Sequence, residues 1–186
     1  WFKKGRCFAM GIMLSALTLG SALPHPIRAV GVQFDWKLVI LMSSLACFIA
    51  AVLFAFVLQD GPHKFAKTKA DLNKVGLIIK DRPLMLANIG YFGHMWELYA
   101  MWAWFFAYAI AAKSTGLGLE NAALLTFLVI AAGAPGCVLG GWLADRIGRC
   151  YATTFFMVIS GISALLIGLC FDGPPWLFII IALIWG

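Results

Sequence analysis

Between Pro83 and Ala112 the chain is apolar except for a small set of residues that can do chemistry. One residue in that run is acidic, Glu97, and one is an imidazole, His94. Glu97 stands fifteen positions after Arg82, roughly 22 Å along a helix at about 1.5 Å per residue. Residues three apart meet on one helix face, so His94 and Glu97 can touch. An acid and an imidazole in contact can exchange a proton when a bound solute arrives or leaves. Two plainer roles stay open, a structural pair hydrogen-bonded to neighbouring helices, or direct contact with a bound small molecule and no proton movement. At 100 degrees per residue, Gly90, His94, Glu97, Met101, Trp104 and Tyr108 fall within about 80 degrees of one another and form one stripe. Asn88 adds a hydrogen-bonding group before it, and Tyr91, Trp96, Tyr99 and Trp102 spread aromatic surface through the body of the segment. An aromatic belt at a membrane interface would instead gather at the two ends.

The element that carries these residues is set by composition. The chain is 63% hydrophobic and 12% charged, with a mean hydropathy of +0.94, which excludes a soluble domain with a polar surface. Leu38 to Leu58 holds no charge over 21 residues, close to the roughly 20 needed to cross about 30 Å of hydrocarbon. Comparable runs are Cys7 to Ile27, Pro83 to Ala112, Ala122 to Ala144 and Cys150 to Phe171, with a sixth beginning at Pro174. The expected fold is an all-α membrane protein, a polytopic helical bundle with five complete transmembrane helices and the start of a sixth. A barrel is disfavoured because its strands alternate over about ten residues, whereas these runs are continuously apolar. The chain starts at Trp1 and stops within an apolar run, as expected for a piece of a longer protein.

Charge gives the orientation. If the spans alternate, Lys3, Lys4, Arg6, Lys64, Lys67, Lys69, Lys74, Lys80, Arg82, Arg146 and Arg149 share one side, against Arg28, Lys37 and Lys113 on the other. The positive-inside rule places the larger group in the cytoplasm. The net charge of +6 then has a topological meaning and calls for no nucleic-acid partner. Cys7, Cys47, Cys137, Cys150 and Cys170 show no CxxC or His-paired spacing, so they read as small packing residues, not as a disulfide framework or a zinc site. No nucleotide loop appears, and no cofactor is expected. An intramembrane hydrolase using His94 and Glu97 finds no serine elbow, HExxH or aspartate dyad to accompany them, so an enzyme is not the reading.

A second constellation lies between two charge-free runs: Gly141, Trp142, Leu143, Ala144, Asp145, Arg146, Ile147, Gly148 and Arg149. It resembles the loop signature of the major facilitator superfamily: glycine, any residue, leucine, a small residue, aspartate, arginine, any residue, glycine, arginine, then usually a second basic residue. Every position but the last matches, Cys150 standing where the second basic residue is expected. The residues themselves suggest that Gly141 and Gly148 bend a short loop. They also place Asp145 where the next helix begins, at its positive end. Arg146 and Arg149 can pair with Asp145 or with anionic lipid heads.

The resemblance implies a secondary transporter working by alternating access, of which this chain would supply helices five to nine of twelve and the start of ten. Residues 1-58 would end the N-terminal half, 59-82 would form the cytoplasmic linker between halves, and 83-186 would begin the C-terminal half. Gly5 to Gly11 looks like the family's fifth-helix entry, and Asp35-Trp36-Lys37 like the turn into the sixth. Gly20 to Pro24 sits where antiporters carry a glycine and proline motif, but the expected glycine pair is missing, which leans towards uptake, for example by symport, over export. The family lines its cavity partly with helix seven, which makes His94, Glu97, Asn88, Tyr91, Met101, Trp104 and Tyr108 the expected cargo and proton-coupling residues. The same resemblance implies that the Asp145 motif touches the inner end of helix five near Gly5 and Arg6. Gly141, Asp145, Arg146, Gly148 and Arg149 would then latch the outward-open state, a simple topology anchor being the alternative.

Pro135, inside the helix-weakening run Ala131 to Gly136, is the expected hinge, a static kink being equally consistent. Gly11, Ser15, Ala16 and Gly20 allow close helix packing, and His25, between Pro24 and Pro26, reads as a cap or turn residue. Expected partners are the lipid bilayer of a cell (inner) membrane, a small solute such as an organic anion or an amphipathic metabolite, and protons as a candidate coupling ion. Most members of the family are monomers, which implies a monomer here, with the loops at 59-82 and 145-149 cytoplasmic. A non-transporting receptor or scaffold on the same fold is the competing function, separable because it would bind cargo without flux.

Overall fold

The computed structural model describes residues 4–26, 36–58, 75–112, 116 and 119–186. No strand occurs among them. The helices are α1 (Arg6–Ala22), α2 (Trp36–Phe56), α3 (Val75–Lys80), α4 (Arg82–Ala111), α5 (Leu119–Ile147), α6 (Arg149–Leu169) and α7 (Pro175–Trp185). Local sequence explains most boundaries. Asp81 Oδ1 accepts the Leu84 amide at 3.2 Å and so caps α4, while Pro83 occupies a first-turn position where no N–H is needed. Pro175 opens α7 in the same way. Gly148, at φ 93 and ψ 152, separates α5 from α6. Lys64, Lys67, Lys69 and Lys74 of the expected linker, and Arg28 and Lys113, lie outside the described residues.

Among the described residues, four helices are long and apolar enough to cross a membrane: Arg6–Pro26, Trp36–Phe56, Asn121–Ile147 and Arg149–Leu169. Helix α4 has 30 residues, about 45 Å at 1.5 Å each, ample to span a bilayer. His94, Glu97 and its tyrosines and tryptophans make it less apolar than the other four. Large apolar side chains such as Phe48, Phe54 and Leu165 are more than half exposed, as suits a protein whose solvent is lipid. Helix α5 runs three residues beyond Ala144, so Asp145 belongs to its last turn and not to a loop, a correction to the span boundary read from sequence.

The described residues fall into two compact units. The first carries residues 75–104: α3 and the greater part of α4. The second carries 4–58 and 105–186, and its most extensive helix contact is between α1 and α5, with α5, α6 and α7 packed together as well. Its buried centre holds Phe105, Thr126, Val129, Ile130 and Phe178. The Thr126 hydroxyl donates to the Ala122 carbonyl at 2.7 Å, which satisfies it within its own helix. No residue of α2 is buried.

Helices α1 and α5 run antiparallel: Cys7 lies against Gly141, Gly11 against Cys137, and Thr18 against Gly133. A Cβ on Gly141 would run into the Cys7 carbonyl, and one on Gly11 into the Cys137 carbonyl. Glycine at both positions lets the backbones touch, the means by which helices associate where lipid provides no hydrophobic drive.

Candidate functional site

The Asp145 motif builds a joint between α1 and α5. The first four N–H groups of a helix have no partner inside it, and the N-cap of α1 is Gly5, which has no side chain to offer one. Asp145 supplies the acceptors from the far side of the chain. Its Oδ2 accepts the Phe8 amide at 2.9 Å and its Oδ1 the Cys7 amide at 3.2 Å. The carboxylate thus meets the positive end of α1, and not that of the following helix, α6, as sequence alone suggested. The reason is the extra turn of α5, which carries Asp145 onto the face that packs against α1. Arg149 adds a favourable Coulomb interaction with the same carboxylate.

The other motif residues divide the work. Gly141 lies inside α5, not in a bend, and is needed for the close approach of Cys7. Gly148 does bend the chain, in a φ/ψ region open essentially to glycine alone. Gly5 is left-handed at φ 67, which turns the start of α1 towards Asp145. Arg146 places its guanidinium over the Trp142 ring, 4.0 Å from the centroid, so its engagement is a cation–π contact one turn back along α5. Pro135 is exposed, and α5 is continuous across it. Gly133, two residues earlier, would bring a Cβ to 3.1 Å from the Thr18 methyl and 2.6 Å from the Gly186 carbonyl.

In the first unit, α4 presents His94, Glu97 and Met101 on its more covered side. Met101 is 4% exposed, and His94 and Glu97 are half-buried. The His94 Nδ1 is sealed from solvent and has no hydrogen-bond partner, an arrangement that costs free energy unless another group arrives to satisfy it. Asn88 and Tyr91 are exposed. Trp104, which helical stepping puts on the same face, is 71% exposed. It lines a shallow groove of about 410 Å³ together with Phe92, Trp96 and Tyr99. That groove was not read from sequence, although Phe92, Trp96 and Tyr99 recur at helical spacing with small Ala100 and Ala103 between the later aromatics. Tyr99 and Trp102 stack edge to face at 5.8 Å.

In the second unit Tyr108, the last residue of the expected stripe, is engaged by other helices. Its hydroxyl donates to the Ile167 carbonyl at 2.9 Å, and its ring stacks on Phe178. His25 lies beside Phe106, ring centroids 6.4 Å apart. No grouping of His, Cys, Asp and Glu fit to hold a metal occurs among the described residues.

The family model of the Major Facilitator Superfamily matches residues 1–186. A protein of Cupriavidus necator named probable sulfoacetate transporter SauU is 29% identical over 181 residues, covering 88% of this chain and 41% of its own length. The MFS-type transporter pytF of Aspergillus terreus is 30% identical over 155 residues, covering 80% of this chain and 50% of its own length. The chain thus spans half or less of the length of these relatives. No solved structure matches it significantly. Long apolar helices, the Asp145 joint and the family match over residues 1–186 lead to one conclusion: this chain is a multi-pass membrane protein and belongs to the major facilitator superfamily.

Proposed function

We propose that the chain forms the middle of a secondary active transporter that moves a small solute by alternating access. The observation that carries this reading is the Asp145 joint. It ties α1, which precedes the basic linker at 59-82, to α5, which follows it, through the peptide amides of Cys7 and Phe8. In this reading 1-58 closes one half of the transporter and 83-186 opens the other. The joint holds the two together at the cytoplasmic face of a cell membrane, and its release accompanies inward opening. Both the family and the named relatives indicate a transporter, not an enzyme.

The cargo wall is assigned to α4, with His94 and Glu97 as the polar pair and Asn88, Tyr91, Met101 and Trp104 around them. The unpartnered His94 Nδ1 supports a role in meeting a solute, and the neighbouring Glu97 carboxylate is the candidate for carrying a proton with it. A small organic anion is the preferred cargo class, in keeping with the name of the Cupriavidus necator relative, and uptake the preferred direction. Full-length protein in proteoliposomes with an internal pH dye, wild type against Glu97→Gln, tests the assignment with a panel that includes sulfoacetate and short carboxylates. Cargo-driven proton entry that disappears in Glu97→Gln while binding persists supports it. Proton movement equal in both proteins removes Glu97 from coupling.

A further inference from the structure

At the end of the second unit remote from the Asp145 motif, three helices meet on one tyrosine. Ile167 lies eighteen residues into α6 from Arg149, about 27 Å away at 1.5 Å per residue. It is in the last turn, where helix carbonyls run short of intrahelical donors. The Cys170 amide approaches the Leu166 and Ile167 carbonyls at 3.2 Å each, and the Tyr108 hydroxyl adds a second donor to Ile167 at 2.9 Å. The Tyr108 ring stacks on Phe178 of α7 at 5.8 Å and 21° and tilts against Phe171, just past α6, at 5.3 Å. Phe178, itself fully buried, also stacks on Phe105 of α4 at 6.2 Å. Aromatic pairs in these geometries add to what burial alone provides.

We infer that Tyr108 is a positioning residue: it clamps the end of α4 to the C-terminal end of α6 and the first turn of α7, so that these three helix ends move as one body. A phenol whose hydroxyl caps a neighbouring helix and whose ring lies against two phenylalanines is committed to packing and does not offer itself to cargo. This separates Tyr108 from the His94 and Glu97 stripe with which it shares a helical phase. Cys170, 5% exposed and next to the clamped carbonyl, is a natural reporter of its integrity.

The test uses full-length protein in detergent with every cysteine but one replaced by serine, retaining either Cys170 or the exposed Cys150 at the other end of α6. Labelling with a fluorescent maleimide is timed with Tyr108 intact and in Tyr108→Phe, which keeps the ring and removes one hydrogen bond. The expected result is Cys170 labelling about fivefold faster in Tyr108→Phe, the scale of one lost hydrogen bond, with Cys150 unchanged. Equal Cys170 rates, or acceleration at both cysteines together, overturn the clamp. In flux measurements the clamp predicts lower turnover at unchanged KM, whereas a raised KM at unchanged turnover returns Tyr108 to the cargo wall. Absence of any flux in wild type would count against the transporter reading and leave the labelling result to decide the clamp.

Discussion

The Phe8 amide donates to Asp145 Oδ2 at 2.9 Å across 137 positions of sequence. One carboxylate at the end of α5 thereby completes the first turn of α1, a helix that cannot cap itself because Gly5 stands at its N-cap. Two helix ends are joined through backbone groups, so the joint constrains the geometry at Asp145 and leaves the identity of residues 7 and 8 free.

That geometry makes Asp145 sensitive to both charge and length. Asp145→Asn retains an oxygen acceptor but loses the charge and one of the two acceptors. Asp145→Glu retains the charge and changes the reach. Both are expected to shift the inward-to-outward balance by about fivefold or more, the lower end of typical coupling between sites. Accessibility of Cys7 to membrane-impermeant thiol reagents reads the shift. An anchor acting by charge alone predicts instead that Asp145→Glu behaves as wild type.

Contact between α1 and α5 depends on missing side chains. Gly141→Ala places a methyl group against the Cys7 carbonyl and within 3.0 Å of the Phe8 Cα, so the helices must separate. Overpacking of this kind costs about 1 to 3 kcal/mol, to be read as a lower melting temperature in detergent. Gly136→Ala is the control, since nothing lies within 4 Å of its Cβ position, and it should leave the melting temperature close to wild type.

Gly148→Ala tests the bend between α5 and α6. Its backbone sits at φ 93 and ψ 152, and holding alanine there costs about 1 to 3 kcal/mol. Destabilisation is expected even though the site is open, with nothing within 4 Å of its Cβ position. A neutral result would mean that the turn adopts another conformation.

His94 offers a test of function against stability. Replacement by phenylalanine removes the unpartnered Nδ1, whose burial costs about 1 to 3 kcal/mol. The variant should be at least as thermally stable as wild type and should bind and transport poorly. Lost stability with transport intact would make His94 a packing residue.

The parts of this architecture set by local composition were legible in the sequence. Runs free of charge marked the helices to within a few residues, because apolar length is what a bilayer demands. The order of residues 141 to 149 marked the joint. What escaped was its geometry, since ending the span at Ala144 put Asp145 in a loop facing α6, and only the further turn of α5 turns it towards α1. Gly141 was legible as necessary but for the wrong reason: sequence shows a glycine, while the Cys7 carbonyl that requires it comes from a distant helix. Stepping along α4 puts Tyr108 and Trp104 on one face with Glu97, but it says nothing of what covers each of them. Neighbouring helices decide burial, and they engage Tyr108 at Ile167 while Trp104 stays exposed.

The most direct test of the account compares binding with flux in proteoliposomes of the full-length protein, using radiolabelled sulfoacetate and a panel of short carboxylates and sulfonates. The account predicts that at least one solute binds and accumulates in the vesicles of wild type, and that Asp145→Asn binds it while losing most of the flux. A solute that binds wild type without any flux, or flux that Asp145→Asn leaves untouched, would contradict alternating access governed by the joint between α1 and α5.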